Sequence, residues 1–116
     1  MKNHSMTLND ECFTLIKNGI KTIVEIRLYD EKRKTVLKGD YITFNNNDDY
    51  KNQLKVKVIE IHKYNNFNDL YKQFNKIKLG YSNDDFVSPD DMEQYYSKEN
   101  IKRYGVVGIE IEVVNE

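Results

Sequence analysis

Hydrophobic residues in this chain recur with two spacings, one typical of strands and one typical of helices. Residues 21–29 and 106–114 alternate apolar and polar positions and are rich in β-branched side chains, so both segments predict β-strands. Residues 41–44 predict a further strand that leads into a polar hairpin loop over residues 45–52. In the final strand we expect Val107, Ile109, Ile111 and Val113 to point inward and Gly108, Glu110 and Glu112 to point outward.

The strand pattern is clearest over residues 54–62, but its phase changes halfway. Apolar residues occupy the even positions from 54 to 58 and then the odd positions 59 and 61. A slip of one residue would turn every later side chain to the opposite face of the sheet. A β-bulge at Val58 and Ile59 keeps both apolar sets inside, and bulges of this kind bend strands into small barrels.

Helix signals separate these strands. Residues 7–19 place apolar side chains at helical spacing behind Asn9, which is a preferred N-cap residue. Residues 67–74 form a second amphipathic segment, which Asn66 or Asn68 can cap.

Two more helices are expected before the last strand. Ser88 and Pro89, followed by two aspartates, mark a helix start that continues through Tyr96, and residues 97–104 form another short helix. The whole pattern predicts one α+β domain over residues 1–116. Its expected architecture is a small, partly open, mostly antiparallel β-barrel with three or four short helices.

Charge narrows the classes of function. The chain has 116 residues and a formal net charge of −1, which argues against a polybasic nucleic-acid-binding protein. This near-balance hides an asymmetry, because residues 1–63 carry a net charge of +3 and residues 64–116 a net charge of −4. A polyanion-binding surface is therefore expected mainly in the first half. The alternative interpretation is an ordinary solvated surface with local ion pairs.

Targeting signals and cysteine chemistry are not visible in the sequence. No apolar run approaches the roughly 20 residues that span a bilayer, and residues 1–4 lead into no signal region. Cys12 is the single cysteine, so we expect neither a disulfide nor a zinc site and interpret it as a small buried hydrophobic residue. These features predict a cytoplasmic protein with no cofactor and no membrane association. The abundance of Lys, Asn, Ile and Tyr indicates an AT-rich, bacterial source.

Three ionisable residues of the first long predicted strand are expected on one face, because all three occupy odd-numbered positions. Alternation places Lys21, Glu25 and Arg27 on the face opposite Thr22, Val24, Ile26 and Leu28. The two cations can donate hydrogen bonds to phosphate, carbonyl or carboxylate groups, and the glutamate can orient them or accept a proton. Spacing alone leaves open whether this face lines a polar cleft or is simply solvated.

The run GIKTIVEIR at residues 19–27 resembles the G-x-K-T-x-E-x-R signature of ASCH domains, which are small β-barrels similar to the PUA fold. The resemblance continues through residues 28–33, the GDYITF segment at 39–44 and the closing strand YGVVGIEI at 104–111, and so covers most of the chain. Here Val24 adds one residue before Glu25. A bulge at this point would change which side chains share a face.

The resemblance implies a cleft beside this strand that binds RNA or a modified nucleoside, with Lys21, Glu25 and Arg27 as cleft residues. Some ASCH-like proteins are amidohydrolases of acetylcytidine, and others are described as ribonucleases. Lys21 matches the catalytic lysine of the amidohydrolases, whereas their later glutamate has no matching position in this chain. If this chain is an enzyme, we expect Lys21 to act as an activated base and Glu25 as the proton carrier. However, Val24 stands where the amidohydrolases carry a catalytic threonine, so binding and catalysis both stay open.

Other candidate residues have simpler explanations. Tyr104 precedes a glycine at the mouth of the last strand and is a further candidate for ligand binding, by stacking on a base. His4 lies near an expected mobile terminus and His62 at a strand end, and neither has a partner ligand. The acidic pairs at 84–85 and 90–91 are explained by helix capping and solubility. No metal site is therefore expected. A protein-interaction module with a basic partner for the acidic second half is the third possible function. The pattern does not define an oligomeric state.

Overall fold

The computed structural model describes residues 1–114, which form one mixed sheet with short helices packed on both faces. Residues 115 and 116, at the end of the predicted domain, lie outside the described residues. The strands are β1 (Asn3–Leu8), β2 (Ile23–Leu28), β3 (Tyr41–Asn46), β4 (Gln53–Tyr64) and β5 (Val106–Val113). The helices are α1 (Asp10–Lys17), α2 (Glu31–Lys34), α3 (Phe67–Gln73) and α4 (Lys98–Tyr104), with a 3-10 helix over Pro89–Gln94.

The sheet has the strand order β1-β3-β4-β5-β2, so β1 and β2 are its edges. The β1–β3 pair is parallel, and the other three pairs are antiparallel. Strand β1 was not predicted, because its only apolar positions are Met6 and Leu8 and its partner is distant in sequence. His4 belongs to this strand and bonds through Nε2 to Asp40 Oδ2 at 2.9 Å, so the prediction of a mobile terminus there was wrong.

Two β-bulges bend the sheet. The bulge predicted in β4 is confirmed, since the register with β5 shifts between Val58 and Glu60. A second bulge lies in β2, where the register shifts between Val24 and Arg27 and two residues oppose Gly108 alone. The extra residue Val24 in the signature indicated a bulge at this point, and the bulge breaks the two regular faces that alternation alone predicted.

Two hydrophobic cores cover the two faces of the sheet. The first core joins Val24 and Val107 to side chains from α1 and β3, and the second joins Ile23 and Leu28 to side chains from α3 and α4. Gly108, which was expected to point outward, is buried against the second core. A Cβ at this position would lie 2.9 Å from Cγ2 of Ile23, so the second core covers a strand face that the alternation pattern assigned to solvent.

The helix caps follow the sequence signals. Asn9, Asn66 and Ser97 each accept a hydrogen bond from the backbone N–H three residues ahead, at 2.8, 2.8 and 3.1 Å. The helix expected from Ser88 is a 3-10 helix that lacks a side-chain cap.

The expected α+β barrel architecture is confirmed, because the five-stranded sheet curls into a half-barrel with mostly antiparallel pairing. The two edge strands approach the same opening, where Leu8 of β1 and Val24 of β2 line a common cleft. Within residues 1–114, none of the helices is both long and apolar enough to cross a bilayer.

Candidate functional site

A cleft of about 240 Å³, here called the Lys21 cleft, opens beside β2 where the bulge interrupts the hydrogen-bond ladder. Lys21, Glu25 and Arg27 all line it, so the structure brings these three sequence-predicted residues to one concave surface. The rest of the wall comes from β2 itself, β1, α1, α3 and the segments that follow α3. These wall residues are Leu8, Cys12, Ile16, Val24, Ile26, Tyr71, Leu79, Gly80, Tyr81 and Met92.

Glu25 reaches the cleft from a strained backbone position. Its φ of 51° lies in the left-handed region, and no other non-glycine residue among those described has a positive φ. Its Oε2 accepts a hydrogen bond from Nη2 of Arg33 in α2 at 3.3 Å. Arg33 also contacts Oδ2 of Asp30 at 3.5 Å, so a single guanidinium offsets two carboxylates. The bulge thus holds Glu25 as an oriented, paired anion.

Lys21 lies before the first residue of β2, and its side chain runs across the backbone of Gly80. Its Nζ donates to the carbonyl of Leu79 at 3.2 Å. A Cβ on Gly80 would lie 3.0 Å from Cδ of Lys21 and 3.1 Å from Nζ, and Gly80 has a φ of +101°, so glycine is required there for two reasons. The single hydrogen bond found within residues 1–114 leaves an ammonium with two more donors for a ligand.

Burial lowers the pKa of the Lys21 amine. Desolvation lowers the pKa of Lys21 below its ordinary value of 10.5, and the charge of Arg27 lowers it further, while Cys12 and Glu25 act in the opposite direction. A lysine held this way loses its proton more readily than a surface lysine. Such amines serve either as cations that bind anionic ligands or as bases.

Tyrosine hydroxyls and apolar side chains complete the wall. The hydroxyls of Tyr71 and Tyr81 are 3.1 Å apart, and their rings are 6.3 Å apart between centroids. Burial and this hydrogen bond raise the pKa of Tyr71 well above its usual value, so its hydroxyl stays protonated. Cys12 is half-buried at the cleft and is not part of either core, which corrects its interpretation as a small buried hydrophobic residue.

Arg27 supplies the exposed rim of the cleft. Its side chain is anchored through a hydrogen bond of 2.9 Å from Nη1 to the carbonyl of Ile26. With Glu25 paired to Arg33, the cations Lys21 and Arg27 dominate the charge that a ligand meets. The site therefore suits a small ligand with an anionic or carbonyl-bearing part and a flat apolar part.

The structure places Tyr104 elsewhere, in a second cleft of about 620 Å³, here called the Tyr104 cleft. Its residues are Lys63, Tyr64, Asn65, Asp69, Lys102, Arg103, Tyr104 and Gly105. The residues Lys21, Glu25 and Arg27 do not line this second cleft, so Tyr104 does not join them around one ligand-sized cavity.

Sequence reasoning missed two contacts that hold side chains of the Lys21 cleft in place. Arg33 is eight positions from its partner Glu25, and Leu79 is 58 positions from Lys21, so no local spacing reveals either contact.

The histidine considered as a metal ligand has protein partners instead. His62 bonds through Nε2 to Glu110 at 2.8 Å, and its ring packs edge-on against Phe74. Within residues 1–114, no three His, Cys, Asp or Glu side chains cluster in a way that would hold a metal ion.

The strain at Glu25 leads to a stability prediction. Glu25→Gly and Glu25→Ala both remove the carboxylate, but only glycine relaxes the positive φ. We expect the glycine variant to be more stable than the alanine variant by about 1 kcal/mol, since alanine keeps the strained backbone. Urea unfolding of the two variants measures the difference. An alanine variant at least as stable as the glycine variant would show that the bulge stores no strain.

Comparison with known proteins adds the family. The ASCH domain model matches residues 6–115. The crystal structure of the hypothetical protein PH0355 is 37% identical and superposes with a TM-score of 0.74, covering 98% of this chain and 100% of that chain. Protein PF0455 from Pyrococcus furiosus is 36% identical with a TM-score of 0.68, covering 98% of this chain and 99% of that chain.

A more distant structure has the same fold. The ASCH domain from Lactobacillus crispatus JV V101 has 18% identity and a TM-score of 0.64, covering 95% of this chain and 79% of that chain. A search of curated proteins found no significant match. The family match over nearly the whole chain confirms the resemblance seen in residues 19–27. This protein belongs to the ASCH domain family.

Proposed function

We propose that the Lys21 cleft binds either one nucleotide of a single-stranded RNA or a free modified nucleoside. The observation that carries the proposal is the meeting of Lys21, Glu25 and Arg27 on one concave surface. The volume of about 240 Å³ is slightly below the roughly 300–1,000 Å³ of ordinary small-molecule pockets. A single nucleoside, not a longer segment, is therefore the unit that suits the cleft.

The chemistry of the wall matches the parts of a nucleotide. Lys21 and Arg27 offer donors for phosphate or for base carbonyl groups, whereas Glu25 offers an acceptor for base amino groups. The rings of Tyr71 and Tyr81 and the apolar side chain of Met92 give a base a surface for packing. Glu25 in turn keeps a fixed direction because Arg33 holds it.

A hydrolase is the second candidate, and the observation that favours it is the lowered pKa of Lys21 in the same cleft as Glu25. Lys21 would act as the base and Glu25 as the proton carrier. Val24 lines the cleft where the amidohydrolase resemblance requires a threonine, so the hydroxyl that this chemistry uses is missing from that position. Binding is therefore the better-supported function. Release of acetate from N4-acetylcytidine by the protein, abolished by Lys21→Ala, would instead favour the hydrolase.

The binding test uses a substitution that removes charge and keeps the side-chain stem. We expect Lys21→Met to raise the Kd for the tightest-bound ribonucleoside 5′-monophosphate at least tenfold, because one charged hydrogen bond contributes about 1.5–3 kcal/mol. Isothermal titration calorimetry with all four monophosphates measures this change. The matched control is Lys17→Met, which removes an exposed lysine of α1 outside the cleft and should leave the Kd unchanged.

Stability separates a binding role from a structural one. Burial of the Lys21 ammonium opposes folding, as its lowered pKa indicates, so Lys21→Met should keep or raise the melting temperature while binding is lost. Absence of binding heat for all four monophosphates with the unmodified protein would overturn the proposal. Unchanged binding by Lys21→Met would also overturn it.

A further inference from the structure

The Tyr104 cleft concentrates positive charge that the Lys21 cleft does not use. Lys63, Lys102 and Arg103 line it together with a single carboxylate, that of Asp69. The last turn of a helix favours cations, which explains Lys102 and Arg103 at the end of α4. It does not explain Lys63, which comes from β4 and faces the same cavity. Convergence of cations from two elements indicates an anion-binding surface.

Two of these cations lie close to a tyrosine ring, Tyr104 in the lining of the cleft and Tyr29 outside it. The guanidinium of Arg103 lies 5.2 Å from the ring centroid of Tyr104, and Nζ of Lys63 lies 5.2 Å from the ring centroid of Tyr29. Cations interleaved with aromatic rings are the combination that binds single-stranded nucleic acid, because the cations contact phosphates and the rings stack on bases.

Cross-strand pairs connect a residue of one cleft with a residue of the other. In the strand register Arg27 of β2 pairs with Val107 of β5, and Val107 pairs with Lys63 of β4. Directly paired residues share a face of the sheet, and adjacent strands lie about 4.8 Å apart, so the Cα atoms of Arg27 and Lys63 are separated by roughly 10 Å. The side chain of Val107 between them is buried in the first core, so a ligand passes beside this row and not over it. Tyr29 extends the connection, since its N–H donates to the carbonyl of Gly105 at 3.0 Å. Gly105 itself lines the Tyr104 cleft.

We propose that the Tyr104 cleft is a second subsite, which binds the sugar-phosphate backbone of a single-stranded RNA that places one nucleotide in the Lys21 cleft. This inference rests on the proposed function of the Lys21 cleft and adds the requirement for a longer ligand. A mononucleotide occupies only the first cleft. An oligonucleotide contacts both, with its backbone passing Arg27 and Tyr29 on the way to Lys63.

The test compares a long and a short ligand on one triple variant, Lys63→Ala/Lys102→Ala/Arg103→Ala. Removing three phosphate contacts should reduce the slope of log K against log salt by about 2 and weaken binding of a fluorescein-labelled, ten-nucleotide, mixed-sequence RNA roughly 100-fold at 0.1 M salt. Fluorescence anisotropy measures this loss. Calorimetry with the ribonucleoside 5′-monophosphates should give the same Kd as for the unmodified protein.

A second triple variant controls for total charge. Lys17→Ala/Lys51→Ala/Lys55→Ala removes three exposed lysines that line neither cleft, and Lys55 is also stacked on a tyrosine, at 4.7 Å from the ring centroid of Tyr41. RNA binding by this control should change less than threefold. All substituted side chains are exposed, so thermal unfolding should show both variants folded.

The outcomes separate the two proposals. If the first triple variant binds RNA as the unmodified protein does, while Lys21→Met weakens it, the second subsite is wrong and the function of the Lys21 cleft stands. If the control variant loses as much affinity as the first triple variant, binding follows total charge and the second subsite is also wrong. If the unmodified protein binds monophosphates but no RNA, only the second subsite falls. If it binds neither ligand, both proposals fall.

Discussion

Replacing Phe44 by alanine is expected to lower the free energy of unfolding by about 3–5 kcal/mol, the usual cost of deleting a buried aromatic side chain. Phe44 on β3 is fully buried in the first core, which also contains Phe13 and Ile16 of α1. The expected fall in melting temperature is roughly 15–25 °C for a domain of this size. Thermal unfolding followed by circular dichroism measures it.

Phe44→Leu is the matched control, because it keeps most of the apolar volume. It should cost well under half as much as the alanine variant. Since Ile16 shares this core and also lines the Lys21 cleft, Phe44→Ala should weaken nucleotide binding as well. A loss below 1 kcal/mol for Phe44→Ala would contradict the central place of this side chain in the core.

Asp40 ties the edge strand β1 to the rest of the sheet, and Asp40→Asn should lower stability at neutral pH by about 2 kcal/mol. The Asp40 side chain is 4% exposed. It accepts hydrogen bonds from Nε2 of His4 at 2.9 Å and from the backbone N–H groups of Leu37 and Lys2 at 3.0 and 3.2 Å. The hydrogen bond from His4 is the main cause that lowers the pKa of Asp40 from 3.8 to about 2, and the backbone donors add to it.

The lowered pKa fixes the pH range of this effect. A carboxyl group with a lower pKa in the folded state than in the unfolded state adds stability above its unfolded value. That stability should therefore be fully present above about pH 4 and should disappear as the pH falls toward 2. Urea unfolding between pH 2 and 7 should show the gap between Asp40→Asn and the unmodified protein closing at acid pH. Asp84→Asn, at an exposed position, is the control, and a gap independent of pH would contradict the assignment.

Signals confined to one segment were sufficient to predict much of the fold. The predicted caps at Asn9 and Asn66 need only a local side chain and the backbone three residues ahead, so the sequence reveals them. The bulge in β4 is visible because the apolar phase changes within a single strand, between Val58 and Ile59.

Features that depend on distant partners were not predictable. Alternation alone assigned Lys21, Glu25 and Arg27 to one regular strand face, whereas Lys21 precedes β2 and Glu25 sits in a bulge. Only the extra residue Val24 in the family signature indicated that bulge, and it did not show which side chains would meet. They meet because the chain bends there, and the alternation pattern does not contain that bend. Gly108 likewise appeared to face solvent, since nothing near it in sequence shows that α3 covers that side of β5. A strand buried on both faces cannot be recognised from alternation alone.

The nucleotide site itself can be mapped in one experiment, a titration of the ¹⁵N-labelled protein with the four ribonucleoside 5′-monophosphates followed by two-dimensional NMR. A ligand in the Lys21 cleft should shift the backbone amides of Glu25, Ile26, Gly80 and Tyr81, which line it from two separate segments. The amides of Gln53 and Lys55, on the far part of β4, should stay unchanged. Shifts confined to these cleft residues, saturating with one Kd, are the predicted result. No saturable shift at the cleft, or shifts centred on another surface, would contradict the account.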